Sequence, residues 1–344
     1  MTVAKAKNTK QNSQLEVFTF GDPEPVIGGR DIMDYIEIWS NGKYFEPPLN
    51  PLHLAKLVNI MPAHGSAIEM KINLLVKDFE PTQYLSRSDF RKFVQDFLVL
   101  GNGYFEKILN QGGGVFGLKY APGVRMRRGI NEGEYFFLEA RGKLHAFGKG
   151  NICHLMRHDV RQEVYGVPGY LGALQSAMLN ESATLFRRRY FLNGAHAGFI
   201  LHITTEKIDD TDIEKLKTEL KKSKGAGNFK NLVLHDRGGD PKGVNLIPIA
   251  EVAAKDEFLN IKNVTRDDVL TAHRAPPQLL GIVPNNAGGF GDVTKATNVF
   301  FENEIVPLQM ICLEVNDWVG VEAVKFKDHV PLPTGPILAP APAS

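Results

Sequence analysis

His154 and His158 stand four residues apart, the spacing at which two imidazoles on one helix face can ligate a metal ion. Leu155, Met156 and Arg157 lie between them, and the glutamate of an HExxH site is missing. Asp209, Asp210 and Asp212 with Glu214 could attract a divalent ion, but aspartates at the start of a helical run are ordinary capping residues. Gly288-Gly-Phe-Gly291 has glycines suited to a phosphate cradle, yet neither a Gly-Lys-Ser/Thr ending nor GxGxxG spacing accompanies them. Gly112-Gly-Gly114 reads as a hairpin loop, and Cys153 and Cys312 are too far apart for a metal or redox pattern. No nucleophile can be paired with a base. The expectation is a chain without catalysis, cofactor or metal.

Cations offer more. Arg187, Arg188 and Arg189 close a long helical stretch, where they could face a polyanion or form ion pairs between subunits. Lys221, Lys222 and Lys224 end a second helix whose acids lie at its front, a polarity the helix dipole explains without any ligand. Between Lys119 and Arg161, nine Lys or Arg face four acids. That excess suits a phosphate-facing surface, although arginines scattered over a solvated sheet face are at least as common. Net charge for all 344 residues is only +1, so nothing global points to nucleic acid. Hydrophobic content of 43% is that of a folded soluble protein, and no apolar run is long enough to span a membrane.

The elements that must carry these residues follow from periodicity. Residues 1–14 form a basic arm with little to bury, expected to be disordered. Leu15–Phe20 alternates like a strand, Asp31–Trp39 reads as a helix, and Glu46–Pro51 as a stiff linker. Helices are expected over His53–Asn59 and Ala63–Leu75, broken near Pro62. Another runs over Ser86–Leu100, with Ser88 as cap and Phe90, Phe93, Phe97 and Leu98 on one side; Asn102-Gly103 then reads as a turn. Short apolar runs between Tyr104 and Phe147 predict a small antiparallel sheet domain.

Gly166-Val-Pro-Gly169 is a turn opening a long helix to Asn193. Strands at Gly198–Ile203, Asn231–His235 and Val244–Ile249 surround the charged helix Asp209–Lys222, a unit too small for a generous core of its own. Helices over Glu251–Lys262 and from a Thr265–Asp268 capping box follow, then a loop at 284–291. Asp292 caps a third long helix that Pro307 should kink, and the proline-rich end is expected to be extended.

Ordered motifs run through this layout: Tyr165-Gly-Val-Pro-Gly-Tyr-Leu-Gly-Ala-Leu174, Leu179-Asn-Glu-Ser-Ala183, Phe186-Arg-Arg-Arg-Tyr-Phe-Leu-Asn-Gly-Ala-His196, His273-Arg-Ala-Pro-Pro-Gln-Leu-Leu-Gly281, Pro284-Asn-Asn-Ala-Gly-Gly-Phe-Gly-Asp-Val293 and Asn303-Glu-Ile-Val-Pro-Leu-Gln309. With them, over roughly residues 20–325, the sequence resembles the portal (head–tail connector) proteins of tailed bacteriophages, specifically the P2-like/PBSX group.

The resemblance implies an α+β portal fold: a wing at 15–165, a stem helix at 166–197, a small α/β clip at 198–250 and a second stem helix at 251–283. A tunnel loop at 284–291 would follow, then a long kinked helix of the wing or a reduced crown at 292–325 and a disordered tail at 326–344. It implies a ring of about twelve subunits around a channel for double-stranded DNA, bound without sequence preference. The tunnel-loop residues Asn285, Asn286, Gly288, Gly289, Phe290 and Gly291 would point into that channel.

Implied partners are the terminase large subunit at the clip, neck or head-completion proteins, and the major capsid and scaffold proteins, with no membrane. The location would be the capsid vertex of the virion, after assembly in the host cytoplasm. The alternatives are another phage ring or scaffold component and, further off, a nucleic-acid-processing enzyme, which would need a Walker loop or clustered carboxylates that are not found.

Overall fold

A computed structural model describes residues 39–192, 199–203, 244–248, 254–282 and 292–333. The expected strand at Leu15–Phe20, nearly all of the Asp31–Trp39 helix, the clip helix and 284–291 lie outside these residues.

Three helices open the described chain: α1 (Pro51–Ile60), α2 (Pro62–Asp78) and α3 (Arg87–Leu100). Pro62 separates the first two and sits in the first turn of α2, where a missing N–H costs nothing. Ser86, not Ser88, caps α3: its backbone is extended and its hydroxyl accepts from Asp89 N at 3.1 Å. Gly101 stops α3 with φ of +72°, so Asn102-Gly103 is not the expected turn but the start of a strand.

Six strands follow as β1 (Asn102–Leu109), β2 (Val115–Tyr120), β3 (Met126–Arg128), β4 (Tyr135–Leu138), β5 (Leu144–Ala146) and β6 (Ile152–Met156). They form two antiparallel sheets in the orders β2-β1-β6 and β3-β4-β5. The expected aromatic face of α3 joins helices to sheet. Phe90 stacks on Phe79 at 4.0 Å and Phe93 on Phe105 of β1 at 4.1 Å, all four buried.

After a 3₁₀ turn at Leu171–Ala173 comes α4 (Leu174–Leu192). The helix therefore begins later than Gly169, because Tyr170 is pinned to α3 through its hydroxyl, 2.5 Å from Val99 O. Strands β7 (Phe199–Ile203) and β8 (Val244–Pro248) pair antiparallel, in line with the expected first and last strands of that unit.

The next helix, α5 (Ala254–Ala272), is continuous. The expected break and capping box at Thr265 are wrong, since the Thr265 hydroxyl bonds back to Ile261 O at 2.6 Å inside the helix. Asp292 does cap α6 (Val293–Phe300), accepting from Lys295 N at 3.0 Å. A π turn at Phe301–Ile305 then leads into α7 (Val306–Val319), and it accommodates Pro307 within one long helical run.

Residues 326–333 depart from the expected disordered tail. Phe326 packs edge-on against Phe79 and Phe90, His329 stacks on Phe301 at 3.5 Å, and Asn298 exchanges two hydrogen bonds with the Leu332 backbone. One buried cluster contains α1–α3, the start of α4, the end of α5 and the α6–α7 run, so the last helices share the core of the first.

Candidate functional site

The segment Tyr165–Tyr170 joins the sheets to α4, and each of its features answers a contact. Tyr165 donates to Phe45 O at 2.6 Å and accepts from Arg128 N at 2.9 Å. The Asn102 side chain donates to Leu100 O and Gly166 O and accepts from Gly166 N at 2.7 Å. It also hydrogen bonds His154 Nε2 at 2.9 Å. A Cβ on Gly166 would lie 2.1 Å from Gly101 O, so only glycine permits this approach. Burial lowers the pKa of His154 to about 3, with Arg128 adding to the shift. His154 is thus held neutral, with Nε2 directed at Asn102 Oδ1 and Nδ1 near the Tyr135 hydroxyl, while His158 is exposed. Among the described residues no three metal-ligating side chains cluster.

Helices α4 and α5 run antiparallel along a polar seam. Ser176 donates to Asp268 at 2.8 Å, Asn180 to Thr265 at 2.7 Å, and Lys262 to Thr184 at 2.8 Å. Ala177, Ala183 and Val269 are buried in the pair, whereas Leu179, Leu185 and Val264 are 50%, 48% and 60% exposed. Arg187 and Arg188 are exposed near the end of α4. Lys262 has its pKa lowered by partial burial and then by Arg187, which places like charges together at this end of the pair. The Arg189 side chain, the tunnel-loop residues Asn285, Asn286, Gly288, Gly289, Phe290 and Gly291, and Lys221, Lys222 and Lys224 lie outside the described residues.

The basic 119–161 stretch is partly consumed by structure. Arg127 pairs with Glu46 at 2.8 Å, Arg128 donates to Glu163 O, and Arg125 lies over the Phe137 ring. These three are committed to holding the small sheet.

A buried polar cluster at the end of α5 escaped the sequence reading. Lys71 of α2 donates to Glu304 of the π turn at 2.6 Å, and Arg274 donates to the other Glu304 oxygen at 2.8 Å. Burial pushes the Glu304 carboxyl up, but Lys71 and Arg274 outweigh it and hold it below the usual range. Arg274 is the only non-glycine with positive φ, +53°, among the described residues. Beside it, His64 Nδ1 lies 2.8 Å from His273 Nε2. Burial lowers His64 to about 4 and His273 to about 2, the latter also through His64, Lys71 and Arg157. The one signal in the sequence is Lys71 itself, a cation on the apolar stripe of α2 between Ile68, Ile72 and Leu75. Its partner is 233 positions away.

A family model for the phage portal protein matches residues 58–329. A probable portal protein of Escherichia phage P2 is 46% identical over 321 residues, which cover 93% of each chain. The chain belongs to the phage portal family. The P2-like character expected from its motifs holds, and its role is that of a structural protein of the portal vertex. Solved structures carry the α+β portal fold at low identity. The crystal structure of an HK97 family phage portal protein from Corynebacterium diphtheriae has a TM-score of 0.58 at 14% identity, over 79% of this chain and 94% of that one. The neck of a native GTA particle, computed with C12 symmetry, has a TM-score of 0.55 at 20% identity, over 78% and 81%. No described helix of the portal chain is long and apolar enough to cross a membrane.

Proposed function

We propose that this chain assembles into a closed ring of about twelve copies at one vertex of the phage head, with a channel through which double-stranded DNA enters and leaves. The observation that carries this reading is the α4–α5 pair. Its inner seam is polar and complete, while Leu179, Leu185 and Val264 remain exposed on its outer faces, where neighbouring copies would cover them. DNA must slide, so contacts are sparse phosphate contacts without base readout. Arg187, Arg188 and Arg189 are assigned to the channel or to ion pairs between subunits, and residues 284–291 to the channel constriction.

The clip around β7 and β8, with Lys221, Lys222 and Lys224, receives the terminase large subunit and later the neck proteins. Capsid and scaffold proteins meet the outer wing. The ring is assembled in the host cytoplasm and remains in the virion. Hydrolysis belongs to the motor enzyme, and the portal chain performs none.

Native mass spectrometry with class-averaged electron images of the purified chain, at low and moderate salt, tests the reading. A closed ring near twelve copies with a hole that admits duplex DNA is expected. A stable monomer under every condition would overturn it.

A further inference from the structure

The Arg157 side chain lies in a pocket at the junction of wing and stem, and its place there is prepared by the backbone. Arg157 N donates to Gly101 O at 2.8 Å, and Arg157 O accepts from Val167 N at 3.1 Å. The guanidinium rests on Gly169, where a Cβ would lie 1.7 Å from Nη1. Gly169 therefore exists to admit this side chain. The pocket is narrow and open to solvent at its mouth, and Lys71, His273, Arg274 and Glu304 also line it. Arg274, with 63% of its side chain exposed, stands at the solvent side.

The charges do not balance. Among the described residues Glu304 is the only carboxylate lining the pocket, and its two oxygens are taken by Lys71 and Arg274. The half-buried Arg157 guanidinium has no hydrogen-bond acceptor among the described residues. His64 and His273 are neutral, so three cations face one anion. The crowding shows in titration. Arg157 is lowered by burial and then by Arg274, with Glu304 opposing; Lys71 is lowered by burial against the opposing pull of Glu304, with smaller contributions from Arg157 and Arg274 adding to the lowering. Like charges held together in a partly buried pocket repel, and a further anion would relieve that repulsion.

We propose that this pocket binds one phosphate-type oxyanion between Arg157 and Arg274. Two guanidinium forks leave several N–H donors unused, and a tetrahedral oxyanion offers acceptors to both forks at once. The oxyanion can come from free phosphate or from a DNA backbone phosphate.

The test is calorimetric titration of the full chain with inorganic phosphate, ionic strength held constant with chloride, for the parent, Arg157→Gln and Arg274→Gln. Saturable binding of one phosphate per chain is expected, weakened about tenfold or more in each variant. Arg274→Gln alters a mostly exposed side chain and keeps the test decisive if Arg157→Gln fails to fold. Absence of saturable binding in the parent, or unchanged affinity in the folded variants, overturns the proposal. Short duplex DNA is then added as competitor. Displacement of phosphate assigns the site to the DNA backbone, and saturation without displacement assigns it to the free ion; both support the pocket. Failure here leaves the ring reading untouched, because ring mass and symmetry are measured without reference to phosphate.

Discussion

Asn102 concentrates more of the fold in one side chain than any other described residue at the junction. It satisfies Leu100 O, both backbone groups of Gly166 and the His154 ring, all in a buried setting. Asn102→Ala leaves those groups without partners, and a loss of about 3 kcal/mol in urea unfolding is expected. His64, His154 and His273 make a second prediction. Their folded pKa values, about 4, 3 and 2, lie below the unfolded value near 6.5, so the unfolded chain binds more protons between these limits. Stability is fully present above pH 6.5 and falls as pH drops, by about 2 kcal/mol per histidine at pH 5. The groups facing them do not reverse this sign: Lys71 and Arg157 repel a charged His273, and Arg128 repels a charged His154. Asp96 opposes it in part. Burial raises its carboxyl to about 6, which adds stability as pH falls through 6 towards 3.8. Thermal melts at pH 7.5 and 5.0 should show a lower midpoint at pH 5.0, and His273→Asn should shrink the difference. None of these roles could be read from the sequence, because each depends on partners brought together by tertiary packing. His154 shows the limit well: its i, i+4 spacing to His158 could be set aside as a metal pair for want of the HExxH glutamate, but nothing in the sequence aims the ring at Asn102, as strand β6 does.

Helices were legible where one periodic face meets the core. The phenylalanine stripe of α3, the break at Pro62 and the Asp292 cap could all be read from spacing and cap chemistry. Misreadings arose where a polar side chain serves a different element from its own. Thr265 looked like a helix start because its sequence fits a capping box, yet its hydroxyl accepts from Asn180 across the α4–α5 pair. The tail from residue 326 onward looked solvated because of its prolines, yet Phe326 and His329 each find an aromatic face. The Asn180–Thr265 bond can be weighed by a double-mutant cycle. Asn180→Leu alone leaves only the intrahelical bonds of Thr265, while Thr265→Val alone strips the buried Asn180 amide of its best acceptor. Thr265→Val should cost about 2 kcal/mol, and the double substitution should cost less than the two singles combined. Strictly additive free energies from chemical unfolding would mean that the seam is not coupled.

At the scale of the whole molecule the sequence was least direct, since a net charge of +1 and ordinary composition give no sign of assembly. The family motifs carried that inference, and the physical reason becomes visible only in three dimensions. Leu179 and Leu185 on α4 and Val264 on α5 are turned away from the α4–α5 seam, at exposures of about half or more. Single exposed apolar residues are common, but three on one helix pair whose inner face is already satisfied make a surface that a second copy can cover. Placing carboxylates there separates assembly from folding. Leu179→Glu with Val264→Glu changes positions that contribute little to the monomer core, so helical circular dichroism and the unfolding midpoint of the separated chain should stay within about 0.5 kcal/mol of the parent. In a ring, each new charge would be buried against a neighbour without a partner, and the same substitution recurs at every interface. Sedimentation should therefore show the folded variant as monomer or small fragments under conditions where the parent closes. A variant that still closes into a full ring would move the subunit contact off this face of the α4–α5 pair.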